Sequence, residues 1–344
     1  MINFYEKIPT DETLWRSIIL FGRNVATYKF ALGKALIELA EKEKTFIRLE
    51  ELAEPFSRHI CDHLKIVDKQ GTFSRSRFLD VCRQYNESQM DKNSLIEKTA
   101  ELGFANVIDA FHIVGSGEIP KRFFVDERKH RQGITITDDL LALKANIQFM
   151  NFPYEVEARW RLVETAWSLN INPHMLMAKY DEFSNLIFVE GTAKRRINVT
   201  SCKDSFNGYQ KGKCFYCFKD IIIDGSESDR LTDVDHFFPH VVGISVQDLR
   251  FNINGVWNLV LSCKDCNRGV QGKFDSIPSL SILERLHRRN EFFIQSHHPL
   301  RETIVNQTGA TPQDRINFMN EVDKIAYECR PHRWEPQNEY APAF

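Results

Sequence analysis

Lys213-Cys214-Phe215-Tyr216-Cys217, then Val234-Asp235-His236-Phe237-Phe238-Pro239, then Asn258-Leu259-Val260-Leu261-Ser262-Cys263-Lys264-Asp265-Cys266-Asn267-Arg268-Gly269 follow one another between Gly212 and Lys273. Two Cys-x-x-Cys pairs bracket one Asp-His dipeptide. A tetrahedral structural zinc site takes four thiolates, and each Cys-x-x-Cys turn supplies two. Cys214, Cys217, Cys263 and Cys266 are the expected ligands of one Zn2+ ion. A thioredoxin-type redox pair needs a single such motif in a βαβ setting, and that alternation is missing here. The ion would tie together the ends of a loop-rich segment with little core of its own, so its binding energy is folding energy.

A chain of 344 residues has room for two domains. Its 42% hydrophobic and 27% charged residues read as soluble and globular, and 26 phenylalanines imply aromatic cores rather than disorder. No apolar run approaches the ~20 residues of a membrane helix. The polar, acidic stretch Met1–Glu12 does not read as a secretory signal. A cytoplasmic protein without a membrane partner is the expectation. In that setting the paired cysteines favour zinc over disulfides, and Cys61, Cys82, Cys202 and Cys329 read as buried thiols. A net charge of −2 excludes a polycation, so contact with nucleic acid has to use local patches. Lys194, Arg195, Arg196, Lys203, Lys211 and Lys213 form one candidate patch, and Arg285, His287, Arg288 and Arg289 another. Taken alone, such runs are usually solvated faces.

The first half reads as helical. Thr10 caps a helix that continues, with a break near Gly22, to about Lys44. Arg48–Lys65 follows, kinked or restarted at Pro55, and Phe73–Tyr85 and Ser94–Leu102 are shorter helices. Between Phe104 and Leu143, Phe123-Phe124-Val125 and Ile134-Thr135-Ile136 read as strands among helices, a winged-helix-like pattern. Val156, Trp160, Val163 and Trp167 mark a helix over Tyr154–Leu169, and Met175–Val189 reads as another. His59, Cys61 and His63 alternate, which on a helix spreads them apart rather than gathering them as ligands. Gly115-Ser116-Gly117 lacks the lysine of a phosphate loop and reads as a turn. Helices are expected again over Pro278–Phe293 and from Thr311-Pro312 to about Glu328. A proline-containing tail, Arg330–Phe344, then extends over the surface. The expected fold class is α+β, mainly helical. Residues 1–200 would sense a target, bind DNA or dock a partner, residues 201–280 would form the metal domain, and residues 281–344 a helical extension and tail.

Leu231–Pro239 reads as a strand ending at a proline, Trp257–Ser262 as a buried strand, and the second knuckle turns into a helix near Asn267. By itself an Asp-His pair is more often a hydrogen-bonded strand end than a catalytic pair. Here His236 offers a general base and Asp235 a hard oxygen ligand for Mg2+. The order Cys-x-x-Cys, Asp-His-x-x-Pro, Asn-x-x-Leu, Cys-x-x-Cys-Asn-x-Gly over about residues 205–275 resembles the zinc-stapled HNH endonucleases. Their ββα-metal fold packs a two-stranded hairpin on one helix.

The resemblance implies that Asp235 and Asn267 hold one divalent metal against a scissile phosphate, that His236 deprotonates the attacking water, and that Asn258 orients the loop and imidazole of His236. It also implies phosphate contacts at Arg268 and Lys273, beside the basic candidates Lys211 and Lys213. The last family position, often His, is Asn267 here, as in the HNH domains of CRISPR effector nucleases, and an oxygen ligand suits Mg2+ or Mn2+. The activity implied is hydrolysis of DNA, nicking as a monomer, with double-strand breaks needing a homodimer or a protein partner. The helical remainder resembles accessory regions of HNH proteins in restriction and phage defence. Two rival readings stand beside this one. The first is a zinc-stabilised nucleic-acid-binding module without catalysis, although a carboxylate beside a phosphate is repulsive unless a metal lies between them. The second is a partner-regulated nuclease acting on RNA or modified DNA.

Overall fold

In the computed structural model, residues 9–22, 24–42, 44–73, 75–115, 117–190, 196–223, 232–245, 251–296 and 298–344 are described. Lys194 and Arg195 of the first basic patch, Ser116 of the glycine turn and Leu231 lie outside them. The fold is α+β with helix predominating. No helix among the described residues is long and apolar enough to cross a membrane. The described residues divide into two compact units, Pro9–Ile171 and Asn172–Phe344. The division falls before residue 200, where helix gives way to sheet.

The first unit is built from helices whose apolar stripes face one another. Thr10 Oγ1 accepts from Thr13 N at 3.3 Å and caps helix Asp11–Phe21, which buries Leu14, Trp15 and Ile18. Helix Tyr28–Ala40 follows after the break near Gly22. Helix Leu49–Leu64 runs through Pro55 as one element, so of the kink or restart expected there the restart does not occur. Its start is fixed by Glu51, which accepts from the Arg48 N–H at 3.0 Å. Strands Phe124–Asp126 and Gly133–Ile136 pair as an antiparallel hairpin, and the distant strand Phe46–Arg48 completes the sheet on the other side of Gly133–Ile136.

Helix Phe152–Ser168 carries the charges that this core has to neutralise. Arg16 makes a two-pronged pair with Glu155, at 2.8 Å for each bond. His63 stacks on Trp160 with ring centroids 3.5 Å apart, and its nitrogens meet Glu164 at 2.8 Å and Glu157 at 3.2 Å. His59 instead meets Glu38 at 2.6 Å, and Cys61 points to the Cys82 carbonyl. The three alternating residues therefore go to separate partners, as their helical spacing requires.

The second unit opens with a correction. Met175–Val189 is not a helix but part of a three-stranded antiparallel sheet, Ala178–Asp181, Leu186–Glu190 and Arg196–Ser201, in sequence order. Asp181 decides this locally. Its carboxylate accepts from Phe183 N at 3.1 Å and from the Ser184 hydroxyl at 2.8 Å, and Asn185 takes a left-handed φ of 53°. Such a turn competes with helix, and beyond it Ile187 and Val189 are buried while Phe188 is only half-buried, the period of a strand. Helix Cys202–Gln210 then ends at Lys211 (φ 51°) and Gly212 (φ 70°), two left-handed residues that turn the chain into the first knuckle.

Strands Thr232–His236 and Leu259–Cys263 pair antiparallel, with His236 opposite Leu259 and Thr232 opposite Cys263, and helix Lys264–Arg268 follows directly. Helix Leu280–Gln295 and helix Pro312–Cys329, with its Thr311–Asp314 capping box, complete the unit. The tail is pinned rather than free. Arg333–Trp334 pairs with Ile277–Pro278, Trp334 packs edge-on to Tyr216 at 5.2 Å, and Tyr340 N donates to Cys217 O at 2.8 Å. Phe344 lies against Phe215, Phe218 and Tyr209. Aromatic anchors hold the tail across the first knuckle, giving that loop-rich segment the apolar cover it lacks.

Candidate metal centre

The four cysteines converge because separate local structures deliver them. Cys214 and Cys217 sit on a turn in which Phe218 N donates to Cys214 O, at 3.0 Å, and Phe218 has φ 59°. Cys263 ends a strand and Cys266 lies in the helix that follows. Buried Gln210 ties the two halves together. Its Nε2 donates to Lys213 O and Leu261 O at 2.9 and 2.8 Å, and its Oε1 accepts from Leu261 N at 2.9 Å. All four Sγ atoms lie within 4.8 Å of one another, Cys217 and Cys263 are 3.8 Å apart, and all four are free thiols. Zinc–sulfur bonds of about 2.3 Å in a tetrahedron put sulfurs about 3.8 Å apart, so the cluster fits a structural metal ion. Burial pushes the Cys214 thiol well above its ordinary range, and four buried thiolates this close need a cation to coexist.

Beside this cluster, the hairpin and helix Lys264–Arg268 present the expected polar set. Asn258 is fully buried and clamps the segment after His236: its Oδ1 accepts from Phe238 N at 2.9 Å, and its Nδ2 donates to Phe238 O and Ile253 O at 2.9 and 2.8 Å. Asp235 is also buried. The Tyr216 hydroxyl donates to its Oδ2 at 2.6 Å and Lys273 Nζ lies 3.3 Å from the same oxygen. Burial pushes the Asp235 carboxyl above its usual range, against the pull of Lys273 and Tyr216. His236 is 7% exposed, and its Nε2 is buried with no hydrogen-bond partner. Burial first, then the neighbouring His240 and Lys273, holds its pKa down to about 3 against the opposing contact of the Asn254 side chain, so the ring is neutral at pH 7.

Asn267 contacts a residue that the motif reading passed over. Its Nδ2 donates to Asp233 Oδ2 at 3.1 Å, and Arg268 pairs with the same carboxylate at 3.0 and 3.1 Å. Asp233 precedes Asp235 by two residues and so shares its face of the strand. That i, i+2 spacing was the available signal. Among the described residues no hydrogen bond joins Asp235 to Asn267 directly.

The expected phosphate contacts need correction. Lys273 is fully buried, and its ammonium donates to His236 O at 3.0 Å and Phe274 O at 3.1 Å besides pairing with Asp235. It is a counter-charge rather than a hand for phosphate. Lys211 is buried, and Lys213 pairs with Asp220 at 2.8 Å. Arg289 is buried against Trp257 O, and Arg285 donates to the carbonyls of Phe215 and Tyr216, so these two residues of the second basic patch support the fold. Arg196, Arg268 and Arg288 keep exposed side chains.

Replacing Lys273 with methionine leaves the Asp235 charge buried beside only a hydroxyl. The midpoint of zinc release in urea should then fall by the equivalent of about 3–5 kcal/mol, and adding Asp235→Asn should recover part of the loss. An unchanged midpoint would refute the counter-charge role.

Compared with protein-family models, curated proteins and solved structures, the chain gives no match.

Proposed function

We propose that the chain is a metal-dependent phosphodiesterase that hydrolyses nucleic acid, DNA in the first instance, with His236 as its general base. The observation that carries this reading is the buried His236 Nε2 with no hydrogen-bond partner, on the same hairpin as a set of hard oxygen donors. Other buried polar atoms, among them Trp15 Nε1 and Ser262 Oγ, are also unpartnered, so it is the basicity of an imidazole nitrogen that sets this one apart. Such a nitrogen, left open on a neutral imidazole, is suited to accept a proton from water.

Each residue then has a role that its contacts support. Asn258 fixes the segment that follows His236. Lys273 holds the His236 carbonyl and the Asp235 carboxylate in one grip. The carboxylate of Asp235, with Asn267 and Asp233, would hold Mg2+ or Mn2+, an all-oxygen set that such ions prefer. The metal, when bound, supplies Lewis-acid stabilisation of charge at the scissile phosphate. His236 takes the proton of the attacking water. Binding without catalysis finds less support, because most candidate phosphate-binding cations are engaged within the fold.

Nicking of supercoiled plasmid by the purified protein in Mg2+ or Mn2+, with an EDTA control and a parallel RNA substrate, tests the reading. Metal-dependent nicking supports it, and a folded, zinc-replete protein that cleaves neither substrate counts against it. Asn267→Ala should raise the Mg2+ concentration for half-maximal nicking by about tenfold. An identical Mg2+ titration would remove Asn267 from the metal set.

A further inference from the structure

We propose that Glu182, His236 and His240 form a second transition-metal site, one that takes Zn2+ and thereby withdraws the base. One donor atom from each lies within 4.8 Å of the others. Three separate pieces of chain deliver them. Glu182 sits in the turn between strands Ala178–Asp181 and Leu186–Glu190, His236 ends its strand, and His240 opens helix His240–Ser245. Glu182 Oε1 is 2.9 Å from His240 Nε2, and the two imidazole rings have centroids 4.0 Å apart at 53°. His236, whose Nε2 is unpartnered, supplies one of these donor atoms.

The ligand chemistry selects the ion. Two imidazoles and one carboxylate, with a fourth position open to water, are a zinc donor set, whereas Mg2+ prefers oxygens alone. Zinc bonds of about 2.0–2.2 Å place donors about 3.3–3.6 Å apart, between the 2.9 Å of the Glu182–His240 pair and the 4.8 Å that bounds the group, so binding needs only side-chain adjustment. The side chains of Glu182 and His240 are 50% and 38% exposed and free to swing, while His236 is held. The oxygens of Asp233, Asp235 and Asn267 belong to other residues than these three.

A neutral imidazole has one basic lone pair. Once that pair is given to Zn2+ it cannot accept a proton, so zinc at this site and general-base action by His236 exclude each other. The inhibitory consequence rests on the phosphodiesterase reading, whereas the metal site itself does not.

The full chain, with its four-cysteine site filled, is dialysed against micromolar free Zn2+ and its metal content measured. Two zinc ions per wild-type chain are expected, and one in His240→Ala and in Glu182→Gln. One zinc in the wild type, or two in both variants, overturns the site. In Mg2+-supported nicking, added Zn2+ should lower the wild-type rate by about 10²-fold or more, the scale of a lost general base. His240→Ala should resist. Equal inhibition of both overturns the inhibitory role. No nicking by any form before zinc is added fails the phosphodiesterase reading instead, and the dialysis result still decides the metal site.

Discussion

Replacing His236 with alanine or glutamine is expected to lower plasmid nicking by about 10²–10⁴-fold, the contribution of a positioned general base, while the four-cysteine site keeps its metal ion. The two readouts separate because His236 enters the fold mainly through its backbone. Its carbonyl accepts from Lys273, its residue pairs with Leu259 in the hairpin, and Asn258 clamps the segment beyond it. None of these contacts uses the imidazole. The ring's Nε2 has no hydrogen bond to lose, so removing it orphans no partner there. Glutamine keeps polarity and bulk without a base of suitable strength, which guards against a cavity effect in alanine. A variant that is zinc-replete and still nicks within tenfold of wild type would end the general-base assignment.

Cys263→Ser is expected to act oppositely, removing the structure and the activity together. Serine at this position breaks the thiolate set, and a structural zinc contributes an apparent ~10–16 kcal/mol to the folding of its domain, as much as the whole stability of an ordinary protein. Cys263 is also the strand residue opposite Thr232 and the one that leads into helix Lys264–Arg268. Loosening it therefore disturbs the Asn267 and Asp233 pair as well. Zinc content should fall to below about a tenth of an ion per chain, with reduced soluble yield and no nicking. Prolonged treatment of the wild type with a strong chelator should reproduce this state. A soluble, folded Cys263→Ser protein with a full complement of zinc would refute the four-cysteine site.

The metal cysteines were legible in the sequence because their chemistry is local. A Cys-x-x-Cys turn brings two thiolates together whatever surrounds it, and two such turns complete one tetrahedron. The hairpin strands around Asp235 and Leu259, the helix starts at Thr10 and Thr311, and the apolar stripe of Phe152–Ser168 were legible for the same reason, since capping and periodicity act within one or two turns. Other features were hidden because they depend on distant packing. Lys273 looks like any basic residue beside a motif, and only the folded chain shows that it is buried against Asp235. Lys211, Arg285 and Arg289 were misread in the same way. Met175–Val189 carries enough apolar residues for either helix or strand, and the Asp181 turn decided it.

The sequence by itself determined the four-cysteine cluster and the order of the hairpin and helix around it, because short-range spacing is enough to specify both. Tertiary structure alone decided which carboxylate meets Asn267, which lysine is spent on neutralising Asp235, and that Glu182 and His240 come to stand beside His236. These outcomes are set by burial and by contacts between residues far apart in the chain, where the cost of an unpaired buried charge selects partners that no local pattern encodes.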